Sequence, residues 1–233
     1  MVSAPKNTIV VGCHQVYTLK YRPNGSVNRY KAILVVRGYT HNYGMDYFET
    51  FTPVARLNSI RIMFFIVVNL SWPLFQLNVK NTFLYGDLKE EIYMEQPPGY
   101  VAHGKNKIYR LRKAIYKLKQ SSKALFEKIS ITISGISFHR CHSNHSIFVR
   151  HTKSSLVILA VYVNDILLIG SDSAGLVETK KYLRRHFVSK DMSKPKYFLG
   201  IEVAHQKKCD TFLSKEVCSR SSEENMIFRV QPC

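Results

Sequence analysis

Alternating apolar and polar positions near the N-terminus predict a β-hairpin. On its first arm, Tyr17 and Leu19 alternate with Thr18 and Lys20, which is the period-two spacing of a strand. A Pro-Asn-Gly turn signal at 23–25 follows, because Gly and Asn tolerate positive φ, and a second apolar arm then returns. The cations interleaved with aromatic side chains on these arms indicate either an ordinary solvated hairpin or a lid over phosphate groups.

The next two segments predict a helix followed by a strand. Residues 57–70 are apolar almost all round, which predicts a buried helix with Asn58 and Ser59 as candidate N-caps. Residues 74–79 alternate, which predicts a half-buried strand. Its two predicted faces carry Phe75, Leu77 and Val79 on one side and Gln76, Asn78 and Lys80 on the other.

The remaining pattern continues the alternation of helices and strands. Apolar residues at helical spacing predict a helix over 116–134, ended by Gly135, and another over 173–187. Two apolar strands joined by a tight Asn-Asp turn are predicted over 156–169, and a further strand over 197–203. The predicted order β-β-α-β-α-β-β-α-β indicates an α+β fold, with an antiparallel sheet backed by helices.

Charge is the compositional feature that bears most on function. The 233 residues include 34 Lys and Arg against 16 Asp and Glu, a formal net charge of +18, and 45% are hydrophobic. A packed core is therefore expected, together with a field that attracts polyanions. Nucleic acid is the favoured partner, and an anionic membrane surface is the competing one.

The cysteines and hydrophobic runs indicate an intracellular protein, cytoplasmic or nuclear and not secreted. Five cysteines are scattered without a C-x-x-C pair, no apolar run reaches the length of a membrane span, and the N-terminus lacks a signal-peptide h-region. A cluster of potential zinc ligands fits no strong zinc-finger spacing. That cluster comprises His139, Cys141, His142, His145 and His151.

The stretch "LAVYVNDILLIG", residues 159–170, interrupts an apolar run with Asn164 and Asp165. Six ordered blocks, of which this is the fifth, resemble the reverse transcriptase of Ty1/copia-type LTR retrotransposons. The other five are "RYKAILVVRGYTHNYGMDYFETFTPVAR", "FQLNVKNTFLYGDLKEEIYMEQPPGY", "YRLRKAIYKLKQSS", "NHSIFVRH" and "KYFLGIEV". Six blocks in order are far more specific than a single motif.

The resemblance implies a right-hand polymerase with fingers and palm over residues 5–212. Residues 213–233 are expected to be a degenerate or truncated continuation, with the thumb absent, so that the chain is a fragment of a Pol polyprotein. The implied partners are nucleic acid, as RNA template, primer or RNA/DNA hybrid, and a dNTP. The implied cofactor is a pair of Mg²⁺ ions, which stabilise the attacking and leaving oxygens of nucleotidyl transfer.

The resemblance also implies three metal-binding aspartates, of which this chain keeps one. The family has Asp where Asn78 and Asn164 stand, so Asp165 alone is expected to bind metal at the catalytic position. A dication and a carboxylate about 4 Å apart attract each other by roughly 8 kcal/mol before desolvation, at an effective dielectric near 20. An amide carries no charge, so losing two such attractions predicts an inactive polymerase.

Other positions depart from the family pattern as well. The family has Gly at Lys117, Arg at Ile33, Trp at Gln15 and Asp at Asn144. Gly at the first of these permits a close backbone approach, for which a long cation is a poor replacement.

Four residues match the family's nucleotide contacts. Phe83 corresponds to the aromatic residue that screens against a ribose 2′-hydroxyl, although a core aromatic is the alternative. Lys31 and Arg37 are candidates for triphosphate contact, and Lys119 for template or nucleotide contact. Without the resemblance, each cation would be interpreted as a solvated surface charge.

Three functional hypotheses follow from these patterns. The first is a degenerate, inactive reverse transcriptase fragment, and the second is a polymerase that survives by using Asn carbonyls with Asp165. The third is a non-enzymatic nucleic-acid-binding remnant or domesticated interaction module. Its cations would lie on the hairpin and in the basic segment 110–123.

Overall fold

The structure is a computed structural model that describes residues 1–3, 5, 8–40, 44, 47, 50, 53–100, 107–152, 155–192, 195, 197–199, 201–206 and 225–230. These residues form fifteen strands, three α-helices and two 3₁₀ helices, at 38–40 and 82–85. The α-helices are α1 (Leu57–Leu70), α2 (Ser121–Ser134) and α3 (Ser173–His186). The strands are β1 (Val2–Ser3), β2 (Val10–Val11), β3 (Cys13–Tyr21), β4 (Val27–Val36), β5 (Leu74–Val79), β6 (Asp87–Met94), β7 (Lys107–Lys113), β8 (His139–Arg140), β9 (Ile147–His151), β10 (Leu156–Tyr162), β11 (Asp165–Gly170), β12 (Ser189–Asp191), β13 (Tyr197–Phe198), β14 (Ile201–Gln206) and β15 (Asn225–Val230).

The chain divides into two compact units. The first unit comprises 1–52 and 81–130, and the second comprises 53–80 and 131–233. Each has its own buried apolar cluster. In the first unit this cluster includes Val11, Val36 and Ile92, and in the second it includes Phe64 and Leu167.

The first unit contains the predicted hairpin. Strands β3 and β4 pair antiparallel, with Tyr17 opposite Ala32 and Leu19 opposite Tyr30. The turn forms where the sequence predicts it, with Gly25 at φ +80° and the Gly25 amide donating to the Arg22 carbonyl at 2.9 Å. The same unit holds a four-stranded sheet of order β1-β7-β6-β2, in which the β2–β6 pair is parallel. The short strands and the pair β6–β7 are absent from the predicted order, because their apolar runs are brief or broken by charged residues.

The second unit is built on a six-stranded sheet. Its order is β12-β5-β11-β10-β9-β8, and every pairing in it is antiparallel. Asp172 caps α3 by accepting a hydrogen bond from the Gly175 amide at 2.8 Å, and Leu176 and Leu183 of α3 are buried. The α+β class predicted from the sequence is confirmed in this mixture of sheets and helices. The predicted strand over 197–203 is divided in two, since β13 and β14 form a hairpin of their own.

Helix α1 has the predicted bounds but not the predicted cap or burial. Its N-cap is Arg56, which makes no side-chain capping bond. The hydroxyl of Ser59, a predicted cap, instead accepts a hydrogen bond from Asn144 at 3.0 Å. Ile60 and Phe64 are buried, whereas Phe65 is 68% exposed. The helix is therefore not buried on all sides, although its sequence is apolar almost all round.

Helix α2 begins later than its apolar spacing predicts. The predicted start at residue 116 is wrong because Lys117 has φ +68°, a left-handed conformation that interrupts a helix, and α2 begins at Ser121. Ile129 and Ile133 are buried as the spacing indicates. Within the described part of the chain, no helix combines the length and apolarity needed to cross a membrane.

Candidate functional site

Asn78 and Asp165 meet across two adjacent strands of the second unit. They are register partners in the antiparallel pairing of β5 with β11, although 87 residues separate them in sequence. Antiparallel partners project their side chains on the same face of a sheet. The Asn78 Nδ2 group donates a hydrogen bond to Oδ1 of Asp165 at 2.9 Å.

A second amide, which sequence reasoning did not single out, contacts the same carboxylate oxygen. Gln76 lies two residues before Asn78, on the same strand face, and its Nε2 donates to Oδ1 of Asp165 at 3.0 Å. Gln76 is buried, at 8% exposure. Two neutral donors on one carboxylate oxygen satisfy it without supplying a charge. The period-two pattern of the strand was the available signal for Gln76, because it places this residue on the polar face.

Asn164 belongs to the turn that precedes this contact. The turn residues are Val163 and Asn164, and Asp165 is the first residue of β11, so the predicted Asn-Asp turn is wrong by one position. Val163 has φ +52°, a conformation in which a β-branched residue is strained. The Asn164 carbonyl accepts a hydrogen bond from the Val79 amide at 2.8 Å, which ties the turn to the end of β5.

The site forms one transverse row across four strands. Lys190 of β12 is the register partner of Asn78, which pairs with Asp165, which in turn pairs with Tyr162 of β10. Lys190 is exposed. From one strand to the next, the row therefore presents a cation, an amide, a single carboxylate and a phenol. Its formal net charge is zero.

The opposite face of β5 is fixed by α3. The Nζ of Lys180 lies 3.9 Å from the centroid of the Phe75 ring and 2.7 Å from Oδ2 of Asp191. Both side chains of this ion pair are largely shielded from solvent, at 15% exposure each. A cation desolvated between a ring and a carboxylate holds the helix over the strand. Asn78 and Gln76 are therefore carried by a strand that is anchored on its far side.

The four candidate nucleotide contacts all lie in the first unit. Phe83, in the 3₁₀ helix 82–85, is half-buried and meets Tyr116 edge to face at 5.1 Å between ring centroids. Lys119 is 3.3 Å from the hydroxyl of Tyr47 and 5.0 Å from the centroid of its ring. These contacts give both candidates a structural partner.

The two hairpin candidates occupy different positions. Lys31 is half-buried on β4, opposite Thr18. Arg37 is exposed just after β4, and its backbone amide donates to the Gly12 carbonyl at 2.8 Å. The structure therefore places Asn78, Asn164 and Asp165 close together at one end of the β5–β11 pair. The four nucleotide candidates lie on β4, directly after β4, in the 3₁₀ helix 82–85 and shortly before α2.

The comparisons with known proteins identify the family. The family model described as reverse transcriptase (RNA-dependent DNA polymerase) matches residues 1–224 of the 233. The chain belongs to the reverse transcriptase family. The resemblance predicted from the six sequence blocks is confirmed.

The relatives are retrovirus-related Pol polyproteins of Ty1/copia-type elements. Those from transposons RE1 and RE2 of Arabidopsis thaliana are each 43% identical to this reverse transcriptase chain over 199 residues, which is 85% of the chain. The one from transposon TNT 1-94 of Nicotiana tabacum is 34% identical over 209 residues, which is 89% of the chain. The chain spans 14% of the first two polyproteins and 16% of the third.

Lys117, which stands where the reverse transcriptase family has Gly, adopts a left-handed backbone conformation. Lys117 has φ +68°, a region that favours Gly, and a Cβ added to the neighbouring Gly38 would overlap the Lys117 carbonyl oxygen. The other departures lie in ordinary conformations. Gln15 and Ile33 sit on the hairpin opposite Leu34 and Val16, and the buried Asn144 accepts a hydrogen bond from the Ser146 amide at 3.1 Å.

The five histidine and cysteine residues of the potential zinc cluster all lie within the described part of the chain. Within the described residues, no three His, Cys, Asp or Glu side chains come together as a group that could hold a metal ion. Cys141 lies 3.2 Å from the Ser143 hydroxyl, and this hydrogen bond lowers the pKa of the Cys141 thiol.

Proposed function

We propose that this chain is the fingers-and-palm part of a Ty1/copia-type RNA-directed DNA polymerase whose catalytic position no longer supports nucleotidyl transfer. In this proposal Asn78, Asn164 and Asp165 occupy the positions of the three family aspartates. The observation that carries it is the shared acceptor: Gln76 and Asn78 both donate to the same oxygen of Asp165.

The donor set does not fit the two Mg²⁺ ions that the family uses. Mg²⁺ prefers hard oxygen ligands in near-octahedral geometry, usually including carboxylates. Here one carboxylate is present, and the amide groups beside it turn their N–H donors toward it. An N–H group facing the carboxylate repels a cation at the same place. Moving either amide to offer its carbonyl would break a hydrogen bond to Asp165.

The neighbouring charge adds to this effect. Lys190 lies in the same transverse row as Asn78 and Asp165, so the row carries no net negative charge to attract a dication. We infer that the hydrogen-bonded amides and Asp165 act as a structural clasp between β5 and β11.

A primer-extension assay tests this proposal. The purified chain is incubated with a primed homopolymer template and its complementary dNTP, first with Mg²⁺ and then with Mn²⁺. We expect no extension above a control without protein. Extension that disappears in Asp165→Ala, with the variant shown to be folded, would overturn the proposal and favour a polymerase that uses Asn carbonyls.

A second function, nucleic acid binding, is supported by charge and does not need a metal. The chain carries a formal net charge of +18, and its first 45 residues contain no Asp or Glu. Backbone attraction to phosphates needs distributed cations and no metal geometry. We propose sequence-independent binding of primed or single-stranded nucleic acid.

The cations of the two basic regions differ in availability. In the segment 110–123, Arg110 pairs with Glu91 at 2.6 Å, Lys113 pairs with Asp87, and Lys123 lies 3.9 Å from Glu127. Within the part of the chain that the structure describes, no ion pair is formed by Lys20, Arg22, Arg29 or Lys31. The hairpin therefore has more charge available for phosphates.

Salt dependence tests this second function. Each neutralised phosphate contributes roughly 0.7 to the slope of log K against log salt for single strands, and roughly 0.9 for duplex. We expect a slope that corresponds to several phosphates. A flat dependence, or binding no stronger than that of an unrelated protein of equal charge, would leave no retained binding function.

A further inference from the structure

The β3–β4 hairpin has two chemically different faces. The cross-strand register places Tyr17, Leu19, Tyr30 and Ala32 on one face, here called the aromatic face. It places Thr18, Lys20, Arg29 and Lys31 on the other, here called the cationic face. This segregation follows from the period-two alternation of both strands together with the pairing of Leu19 with Tyr30 and of Lys20 with Arg29.

The aromatic face is exposed although it is apolar. Tyr30 is 83% exposed, Tyr17 is 72% exposed and Leu19 is 41% exposed. The Tyr17 hydroxyl donates to the side chain of Gln15, one same-face position along β3. A concavity of about 300 Å³ on this hairpin is lined by Tyr17, Leu19, Tyr30 and Ala32 of the aromatic face together with Thr18 and Lys31 of the cationic face. Aromatic and apolar side chains concentrated on an exposed concave surface are typical of an interaction site.

Charge identifies the class of occupant. Between Cys13 and Arg37 the chain contains five Lys and Arg residues and no Asp or Glu. A second copy of the chain would bring the same cations against these, which is electrostatically unfavourable. A polyanion with flat apolar groups complements both faces: its phosphates meet the cations and its rings meet the tyrosines.

The accessibility of bases selects among nucleic acids. In a duplex the bases are stacked and paired, so their ring faces are not available to a protein surface. Unpaired bases stack on aromatic side chains, and this stacking is tolerant of sequence because every base has a π-face.

We propose that the aromatic face of this hairpin binds the unpaired bases of single-stranded nucleic acid through Tyr17 and Tyr30, while the cationic face contributes phosphate attraction around the ribbon edge. The inference deepens the nucleic-acid-binding function proposed above and depends on it. It adds a contribution that is independent of charge and of the Asp165 clasp.

Two polyanions separate the base contribution from the phosphate contribution. The probes are an oligothymidylate and an abasic phosphodiester oligomer with the same number of phosphates. We expect the parent chain to bind the oligothymidylate more tightly. The double variant Tyr17→Ala/Tyr30→Ala should lose about tenfold or more in affinity for the oligothymidylate, because base–aromatic stacking contributes substantially for each base. Its affinity for the abasic oligomer should not change.

Matched variants control for general effects. Tyr39→Ala/Tyr100→Ala removes two other exposed tyrosines, which are 78% and 66% exposed, and should leave both affinities unchanged. Lys20→Ala/Arg29→Ala should reduce the salt slope by roughly 0.7 per lost phosphate contact, equally for both oligomers.

The possible results distinguish the inference from the function on which it rests. Steep, equal binding of both oligomers by the parent would overturn the aromatic inference and leave phosphate binding intact. Weak, salt-independent binding of both would overturn both. A change of sedimentation behaviour in Tyr17→Ala/Tyr30→Ala, without loss of base preference, would assign the aromatic face to self-association and overturn the inference.

Discussion

Asn78 lies directly opposite Asp165 in the β5–β11 register and donates a hydrogen bond to its Oδ1 at 2.9 Å. A carboxylate at position 78 would stand in the same place and would repel Asp165. The residue at position 78 therefore determines whether this cross-strand side-chain pair is attractive or, in the absence of a cation, repulsive. The consequences can be tested without assaying polymerase activity.

The first prediction concerns metal binding after reversion of the amides. In Asn78→Asp/Asn164→Asp, two carboxylates face each other across the register and a third lies in the turn, directly before Asp165. We expect the metal-free double variant to be less stable than the parent by about 1 kcal/mol, because like charges directly opposite destabilise a sheet. Adding Mn²⁺ at about 100 times the dissociation constant should then raise its stability by about 2.7 kcal/mol.

Thermal unfolding with and without Mn²⁺ measures this effect. The matched control is Asn144→Asp, which makes the same chemical change at a buried loop position. The parent and this control should show no Mn²⁺-dependent shift. A folded double variant that is also unaffected by Mn²⁺ would show that these positions do not correspond to the family aspartates.

The second prediction concerns the clasp formed by Asp165. Asp165→Ala removes the acceptor that Gln76 and Asn78 share, so it should lower the free energy of unfolding by about 1–3 kcal/mol. Urea unfolding of Asp165→Ala, Gln76→Ala and the double variant forms a mutant cycle. We expect a coupling energy of about 1 kcal/mol or more, since residues in one hydrogen-bond network are not additive. Additive effects would mean that the two side chains do not interact in solution.

The third prediction concerns backbone conformation at Lys117. Because this residue has φ +68°, Lys117→Gly should raise the free energy of unfolding by about 0.5–1 kcal/mol. The left-handed strain of a side-chain-bearing residue is removed, and the greater chain entropy of Gly offsets part of the gain. Lys119→Gly is the control, since this exposed residue two positions later has no positive φ and should be destabilised. Equal destabilisation by both substitutions would contradict the prediction.

The fourth prediction concerns thiol reactivity. Hydrogen bonding with Ser143 lowers the pKa of Cys141, whereas burial, followed by the charge of Glu95, raises the pKa of Cys13. The thiolate is the reactive form, so iodoacetamide should modify Cys141 faster than Cys13 at neutral pH. As the pH is increased, the modification rate at Cys141 should also begin to rise at a lower pH than the rate at Cys13.

Peptide mapping by mass spectrometry resolves the two cysteines. Ser143→Ala should shift the pH–rate profile of Cys141 upward by removing the hydrogen bond that favours the thiolate. The profile of Cys13 should stay unchanged and serves as the internal control. An unaltered Cys141 profile in this variant would contradict the assigned cause.

Local signals were sufficient for several elements. The apolar segment 57–70 predicts α1 with its observed bounds, and the Pro-Asn-Gly sequence predicts the turn of the β3–β4 hairpin. Local signals did not predict the N-cap of α1, where a local capping preference competes with tertiary contacts. Asn58 and Ser59 are good caps by residue type, yet the helix begins beside Arg56, and Ser59 bonds to Asn144 instead. A cap depends on where the preceding chain enters the helix, and tertiary contacts determine that direction.

The sequence by itself determined the family, the α+β class and the presence of one Asp beside an Asn in an apolar hairpin. These properties depend on residue identity and on periodicity, both of which are local. Only the tertiary structure decided that Gln76 and Asn78 share one oxygen of Asp165, and that Lys190 completes their row. Strand periodicity specifies which face a residue occupies but not which strand it pairs with. The register between strands distant in sequence is set by packing of the whole sheet, so it is decided in three dimensions.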